Sequence, residues 1–200
     1  MKQILVVGAG RSASSLIEYL VGRAPHNDWF VVVADYDVKL SESKVSNTEH
    51  SSAISFDVNN QEQREKMVSS SELVISMLPA HMHILLASDC IKFAKNMVTA
   101  SYVSDQIKNL HNDAIEKDII ILNEIGLDPG IDHMSAKKMI DEVHENGGQI
   151  TSFKSFCGGL VAPEFDNNPW NYKFTWNPRN VVLAGQSTAT YIHNGKYKYI

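Results

Sequence analysis

Gln3 to Leu20 reads QILVVGAGRSASSLIEYL, and the order of features in it decides the fold. Ile4, Leu5, Val6 and Val7 form a short apolar run without alternation, the pattern of a strand buried on both faces. The run stops at Gly8-Ala9-Gly10. From Ser12 to Leu20 the apolar Leu16, Ile17 and Leu20 then recur at helical spacing. Strand, glycine turn and helix in that order spell a dinucleotide-binding fingerprint, Gly8-x-Gly10-x-x-Ala13. Gly8 suits the tight turn, Gly10 lets the backbone approach a pyrophosphate, and Ala13 is small enough to seat helix on strand. The N-terminus of the helix offers N–H groups and a positive dipole end to the phosphates.

The fingerprint asks for an acid at the end of the next strand, about twenty residues on. Trp29 to Ala34, WFVVVA, is that strand, and Asp35 closes it. A carboxylate there accepts hydrogen bonds from ribose hydroxyls and repels a 2′-phosphate, which favours NAD over NADP. The competing role for Asp35 is to cap the turn that follows. Arg11 and Lys39 lie near enough in sequence to keep NADP open.

The remaining composition narrows the class. The chain has 200 residues, 44% hydrophobic and 20% charged, enough to bury a core in one large or two small domains. A net charge of −5 without a basic run gives no reason to expect nucleic acid. Met1-Lys2 leads directly into the first strand, so no signal peptide is expected, and no apolar stretch approaches membrane-spanning length. Cys90 and Cys157 belong to no CxxC pair and point to reduced thiols in a cytoplasmic protein.

Beyond Asp35 the chain alternates. Strands are expected at Ser52–Phe56, Glu72–Ser76, Asn96–Thr99 and Ile119–Leu122, with helices at Gln61–Val68, His81–Phe93 and Asp105–Lys117. That alternation predicts an α/β fold, a Rossmann-type doubly wound parallel sheet over residues 1–126. Gly126-Leu-Asp-Pro-Gly130 is a hinge into the start of a second α/β substrate domain over 127–200. A helix is expected over Asp132–Glu145 and strand composition over Gln149–Phe156. From Gly158 to Pro178 two glycines, three prolines and two tryptophans indicate loops. The last residues, Gly195 to Ile200, stop inside a strand pattern. Asp57, Leu78, Ser101 and Asp128 follow the predicted strands three to six, at the end of the sheet where such folds bind ligands. Plain structural roles are also available: Asp57 as a turn former, Ser101 as a helix cap, Tyr102 as a packed aromatic, and Asp128 as the acid before a proline turn.

Four segments carry a family resemblance: SYVS (Ser101–Ser104), NEIGLDPGIDH (Asn123–His133), CGGLVAPE (Cys157–Glu164) and NPWNYKFTW (Asn168–Trp176). In order and spacing they resemble the glutamate-forming saccharopine dehydrogenases, also called saccharopine reductases. The resemblance runs along essentially the whole chain and corresponds to the N-terminal half of the longer family members. It implies that Gly10, Arg11, Ser12 and Ala13 hold the pyrophosphate, with Asp57 and Val58 by the adenine end. It places Leu78 in the cofactor cleft, and Ala100, Ser101, Leu127, Asp128 and Pro129 on the nicotinamide side. Ser101, Tyr102 and Asp128 also reach substrate, and Thr175 approaches the cofactor. Family members that use NADP tend to carry a basic or neutral residue where Asp35 stands here.

The activity so implied is an NAD(P)-dependent oxidation of the secondary amine saccharopine to glutamate and aminoadipate semialdehyde, or the reverse. Asp128 and His83 are the catalytic candidates, with His133 after them. His83 aligns with a family histidine and is the better proton-transfer group. His81-x-His83 lacks the ligand spacing of a metal site, so no metal is expected and both histidines are read as helix-surface or cleft-lining. The expected partner is a small amino-acid substrate, with no nucleic acid or membrane and with a homodimer allowed. A carboxynorspermidine-type dehydrogenase of the same superfamily, and an NAD-binding module without turnover, stay open as alternatives.

Overall fold

A computed structural model of the protein describes residues 1–45, 47–174, 178–184 and 188–200. Six strands, β1 (Lys2–Val7), β2 (Trp29–Asp35), β3 (Ser51–Ser55), β4 (Leu73–Ser76), β5 (Asn96–Thr99) and β6 (Ile121–Leu122), form one parallel sheet in the order β3-β2-β1-β4-β5-β6. This is the doubly wound order expected of a dinucleotide fold. Because every pairing is parallel, the carboxyl ends of all six strands lie along one edge.

The unbroken apolar run of β1 follows from that position. Leu5 and Val7 enter one core, with Val32, Ala34 and Val74. Ile4 and Val6 enter the other, with Val31, Val33 and Ile75. Helix α1 (Ser14–Asn27) covers the second face through Ile17, Leu20 and Ala24. It is preceded by a single 3-10 turn, Arg11–Ala13, so α1 starts two residues later than the spacing of Leu16, Ile17 and Leu20 predicts. A short helix, α2 (Val38–Glu42), follows β2. The first face is covered by α3 (Gln61–Ser69) and α4 (His83–Phe93), through Val68, Leu86, Ala87 and Cys90. A side chain the size of Leu86, fully buried, is worth about 1.5–3 kcal/mol.

Three of the predicted elements differ. The helix expected over Asp105–Lys117 is two, α5 (Asp105–Lys108) and α6 (His111–Glu116). Asn109, His111, Asn112 and Asp113 are weak helix formers, and Ile107 alone is buried, so neither propensity nor packing holds one rod together. Gln149–Phe156 is not a strand: Phe153 and Phe156 are exposed, and strand composition without a sheet neighbour does not make a strand. β6 is also shorter than expected. Ile120 stays outside it, at the sheet edge, although its carbonyl accepts the Met97 N–H.

Helix α7 (Ile131–Glu145) follows the Gly126–Gly130 turn. By packing, the chain divides into Met1–Ser155 and Phe156–Ile200. The second unit holds a helix, α8 (Pro178–Ala184), and an antiparallel hairpin of β7 (Thr190–His193) and β8 (Lys196–Tyr199). Asn194-Gly195 turns the hairpin, both at positive φ, the primed turn that matches strand twist. Among the described residues no helix is long and apolar enough to cross a membrane.

One buried ion pair joins the two helices of the first face. Arg64 of α3 donates through Nε to the Asp89 carboxylate of α4, and through a terminal nitrogen to the Val58 carbonyl at 2.7 Å. Both side chains are buried, so each charge depends on the other. Asp89→Ala should therefore cost about 3–5 kcal/mol, read as a lowered urea midpoint, because a guanidinium is left buried alone. Arg64→Met combined with Asp89→Leu should recover most of that loss. A single-variant loss within about 1 kcal/mol, the size of an exposed pair, would show that the pair holds nothing.

Candidate functional site

The site is built from the loops at the carboxyl edge of the sheet. Gly8 opens it at φ +103°, a conformation that side chains rarely adopt. A Cβ on Gly8 would lie 2.8 Å from the Met77 carbonyl oxygen and 3.3 Å from the Leu78 nitrogen. The glycine is thus what lets the first turn nest against the exit of β4, and it brings Leu78 beside the fingerprint. Gly10 is different: a Cβ there would meet nothing within 4 Å. Open space over Gly10, with Arg11 and Ser12 exposed at the start of the helical turn, fits a pyrophosphate. The first N–H groups of such a turn have no partner within it. Ala13 is buried against β1, the seating role expected of it.

Asp35 faces the same turn. One carboxylate oxygen accepts the Ala9 N–H at 2.7 Å, and the other accepts the Asp37 N–H at 3.0 Å. The turn-capping role weighed from the sequence is present, and a second bond fastens the glycine turn to the end of β2. A carboxylate has about four acceptor positions, so these two bonds leave capacity for ribose hydroxyls. Asp57 accepts from the backbone and side-chain nitrogens of Asn59, at 2.9 and 3.2 Å, as a turn former does. Val58 is buried in the core, so only its backbone is available to a ligand.

At the other side of the edge, the exits of β5 and β6 meet. The Tyr102 hydroxyl donates to an Asp128 oxygen at 3.0 Å, with both residues exposed. Desolvation, then the hydrogen bond and charge of Asp128, push the Tyr102 phenol above its ordinary range, so it stays a donor. Asp128 is placed by a tight turn. The Gly126 N–H donates to the Pro129 carbonyl at 2.9 Å, and the Ile131 N–H returns to the Gly126 carbonyl at 2.9 Å. A Cβ on Gly130 would overlap that carbonyl at 2.1 Å, so this turn admits glycine only. Gly126 also lies against Ala100, whose Cβ would be 3.2 Å from one added at Gly126. Leu127 is exposed and Pro129 is buried within the turn.

Ser101 is not the cap that a serine at that place suggests. Ser104 caps α5, accepting the Ile107 N–H at 3.3 Å. The Ser101 hydroxyl instead meets the His83 ring at 2.7 Å. His83 is neither on the helix surface nor open to the cleft, as the sequence suggests, but buried at 1% exposure. Burial first, and the His81 charge second, lower its pKa to about 4. His133 starts α7 beside Asp132, with its ring 2.7 Å from that carboxylate. Thr175 lies outside the described residues.

Several participants escaped the sequence reading. Glu124 accepts the Val103 N–H at 3.1 Å and gives its own N–H to the Ser101 carbonyl at 3.0 Å, which steadies the Ser101–Tyr102 loop. Ser76 and Thr99, each the last residue of an apolar strand, meet His83. A polar residue closing such a strand is the signal that could have found them.

The chain is similar to known proteins in sequence and in fold. The family described as Saccharopine dehydrogenase NADP binding domain matches residues 4–122, and Saccharopine dehydrogenase C-terminal domain matches 126–200. A saccharopine dehydrogenase [NADP(+), L-glutamate-forming] of Schizosaccharomyces pombe is 43% identical over 196 residues, 98% of this chain and 43% of that protein. An alpha-aminoadipic semialdehyde synthase of Arabidopsis thaliana is 40% identical over 209 residues, 96% of this chain and 20% of that protein. The solved apo saccharopine dehydrogenase (L-Glu forming) of Saccharomyces cerevisiae superposes with a TM-score of 0.86 at 38% identity. It is covered to 44% by the whole of this chain, which therefore spans less than half the length of these relatives. The glycine turn and sheet fall within one matched domain and the Asp128 turn within the other, and by both the chain belongs to the saccharopine dehydrogenase family.

Proposed function

We propose that the protein is an NAD(P)-dependent oxidoreductase of lysine metabolism that oxidises saccharopine to glutamate and aminoadipate semialdehyde, or runs the reverse reduction. The observation that carries this reading is the Tyr102 hydroxyl held 3.0 Å from Asp128, on the same sheet edge as an open glycine turn. Residues 1–126 serve the cofactor, and 127–200 begin the domain that meets substrate. The two cysteines are thiols, which fits a reducing compartment such as the cytoplasm.

A dinucleotide bound at the turn supplies the hydride acceptor. The chain's own residues have three tasks. Gly10 to Ala13 receive the pyrophosphate, and Asp35 receives the ribose, with a preference for NAD because its charge opposes a 2′-phosphate. Asp128, aimed by Tyr102, accepts a hydrogen bond from the substrate nitrogen and draws off its proton as the neighbouring C–H bond gives up hydride. Water then adds to the resulting C=N bond, and the carbon–nitrogen bond breaks to give the amine of glutamate and the aldehyde. Formation of reduced dinucleotide from saccharopine, with NAD and NADP compared, tests the reading. Turnover of a different secondary amine in its place would favour the carboxynorspermidine-type alternative. Binding of dinucleotide without turnover would favour a binding module.

Three variants resolve the parts. Gly10→Val should fold normally, since the space over Gly10 is open, yet lose dinucleotide binding by calorimetry. Retained binding would make the turn purely structural. Asp35→Ser should shift the NAD:NADP affinity ratio toward NADP by about 1–3 kcal/mol. An unchanged ratio, with both affinities lowered alike, would leave Asp35 only as the anchor of Ala9. Asp128→Asn should lower turnover by about a hundredfold or more. Its melting temperature should scarcely move, since an exposed turn aspartate costs about 0.5 kcal/mol or less to replace. Near-normal turnover with a large stability loss would assign Asp128 to the turn alone.

A further inference from the structure

Beneath the Ser101–Tyr102 loop lies a polar cluster that the proposed chemistry does not use. His83 Nδ1 is 2.7 Å from the Ser76 hydroxyl, and Nε2 is 2.7 Å from the Ser101 hydroxyl and 3.3 Å from that of Thr99. Ser76, Thr99 and His83 are all buried, at 0%, 1% and 1% exposure, and Ser101 is the member that reaches toward the surface. The cluster therefore runs from the end of β4, through the first residue of α4, to the loop after β5. The ring's hydrogen-bond partners are hydroxyls, not carboxylates, so nothing in the cluster balances an imidazolium. Burial and the nearby His81 disfavour that charge as well.

A neutral imidazole offers one donor and one acceptor. The Ser76 hydroxyl is fully buried, and Nδ1 is the acceptor at hand, 2.7 Å away. Giving its hydrogen to Nδ1 puts the ring N–H on Nε2, aimed at Ser101 and, more weakly, at Thr99. Ser101 then accepts from the ring, and its own hydrogen is left for an acceptor outside the cluster. Its backbone carbonyl is meanwhile held by the Glu124 N–H at 3.0 Å. A serine fixed at both backbone and hydroxyl is more ordered than a loop residue needs to be.

We propose that His83 is a positioning residue, which holds the Ser101 hydroxyl as a hydrogen-bond donor toward a carbonyl or carboxylate oxygen of the bound ligand and transfers no proton itself. This rests on the reading of Ser101 as part of the ligand site, and it replaces His83 as a proton-transfer group. The ring works as a relay of direction. A buried serine at one end fixes the tautomer, and the tautomer fixes which way the hydroxyl at the other end points.

Nitrogen-15 NMR of the histidine-labelled protein, with His83 assigned by its loss in His83→Gln, reads this directly. Between pH 5.5 and 8, well above a pKa of about 4, the expected spectrum has hydrogen on Nε2, none on Nδ1, and no titration. A ring protonated on Nδ1, or one that titrates through this range, overturns the proposal. This measurement needs no turnover, so it stands apart from any failure of the saccharopine reading. Where the protein turns saccharopine over, Ser101→Ala should lower kcat by up to about a hundredfold. His83→Gln, whose amide N–H replaces Nε2–H, should retain most of the activity. Adding His83→Gln to Ser101→Ala should cost nothing more, and the limbs of the pH profile should stay in place. A limb lost in His83→Gln, or additive losses in the double variant, would show that His83 acts in its own right.

Discussion

The approach of the first turn to the exit of β4 is the constraint on which this edge of the molecule depends. At Gly8 the backbone passes so close to Met77 that a single added carbon would sit 2.8 Å from a carbonyl oxygen. No side chain tolerates both that contact and a φ of +103°. Because β1 and β4 are neighbours in the sheet, the contact sets the fingerprint turn directly beside Leu78. Asp35 then fastens the turn from the other neighbour, β2, through the Ala9 N–H. Three adjacent strand ends are thereby locked to one loop, and Gly10 is left free of contacts.

The second half of the edge is arranged by polar groups instead. Parallel strands buried on both faces have little room for polarity until they end. Here Ser76 and Thr99 close β4 and β5, and each turns a hydroxyl to the His83 ring. A neutral buried network of this kind is stable only when its members satisfy one another. That requirement ties the loop after β5 to the start of α4. The Asp128 turn has its own closure, through Gly126, Pro129 and Gly130, and meets the same loop through Tyr102. The charged chemistry of the proposed site thus stands on an uncharged support. Among the described residues, the buried charges of Arg64 and Asp89 are kept away on the helices and neutralise each other.

Much of this was legible in the sequence, because it is a matter of local pattern. The apolar run of β1, the two glycines and the helical spacing after them declare the fold without reference to anything distant. The acid closing β2 and the glycine-proline turn around Asp128 are likewise local signals. That the sheet is parallel follows from the alternation of elements. Where neighbours decide, pattern failed. The segment 149–156 has strand composition but no strand beside it, and the stretch from 105 to 117 breaks because its residues hold a helix neither by propensity nor by burial.

Pairings across the sheet were also beyond the sequence. His83 reads equally well as a surface or a cleft histidine until β4 and β5 are placed beside it, since its partners are 7 and 18 residues away. Arg64 and Asp89, 25 residues apart, look like ordinary helix-surface charges until the helices pack. Periodicity tells which face of an element is buried, and composition tells what it is made of. Which buried polar group finds which partner depends on distances between elements, and only the packed tertiary structure sets those.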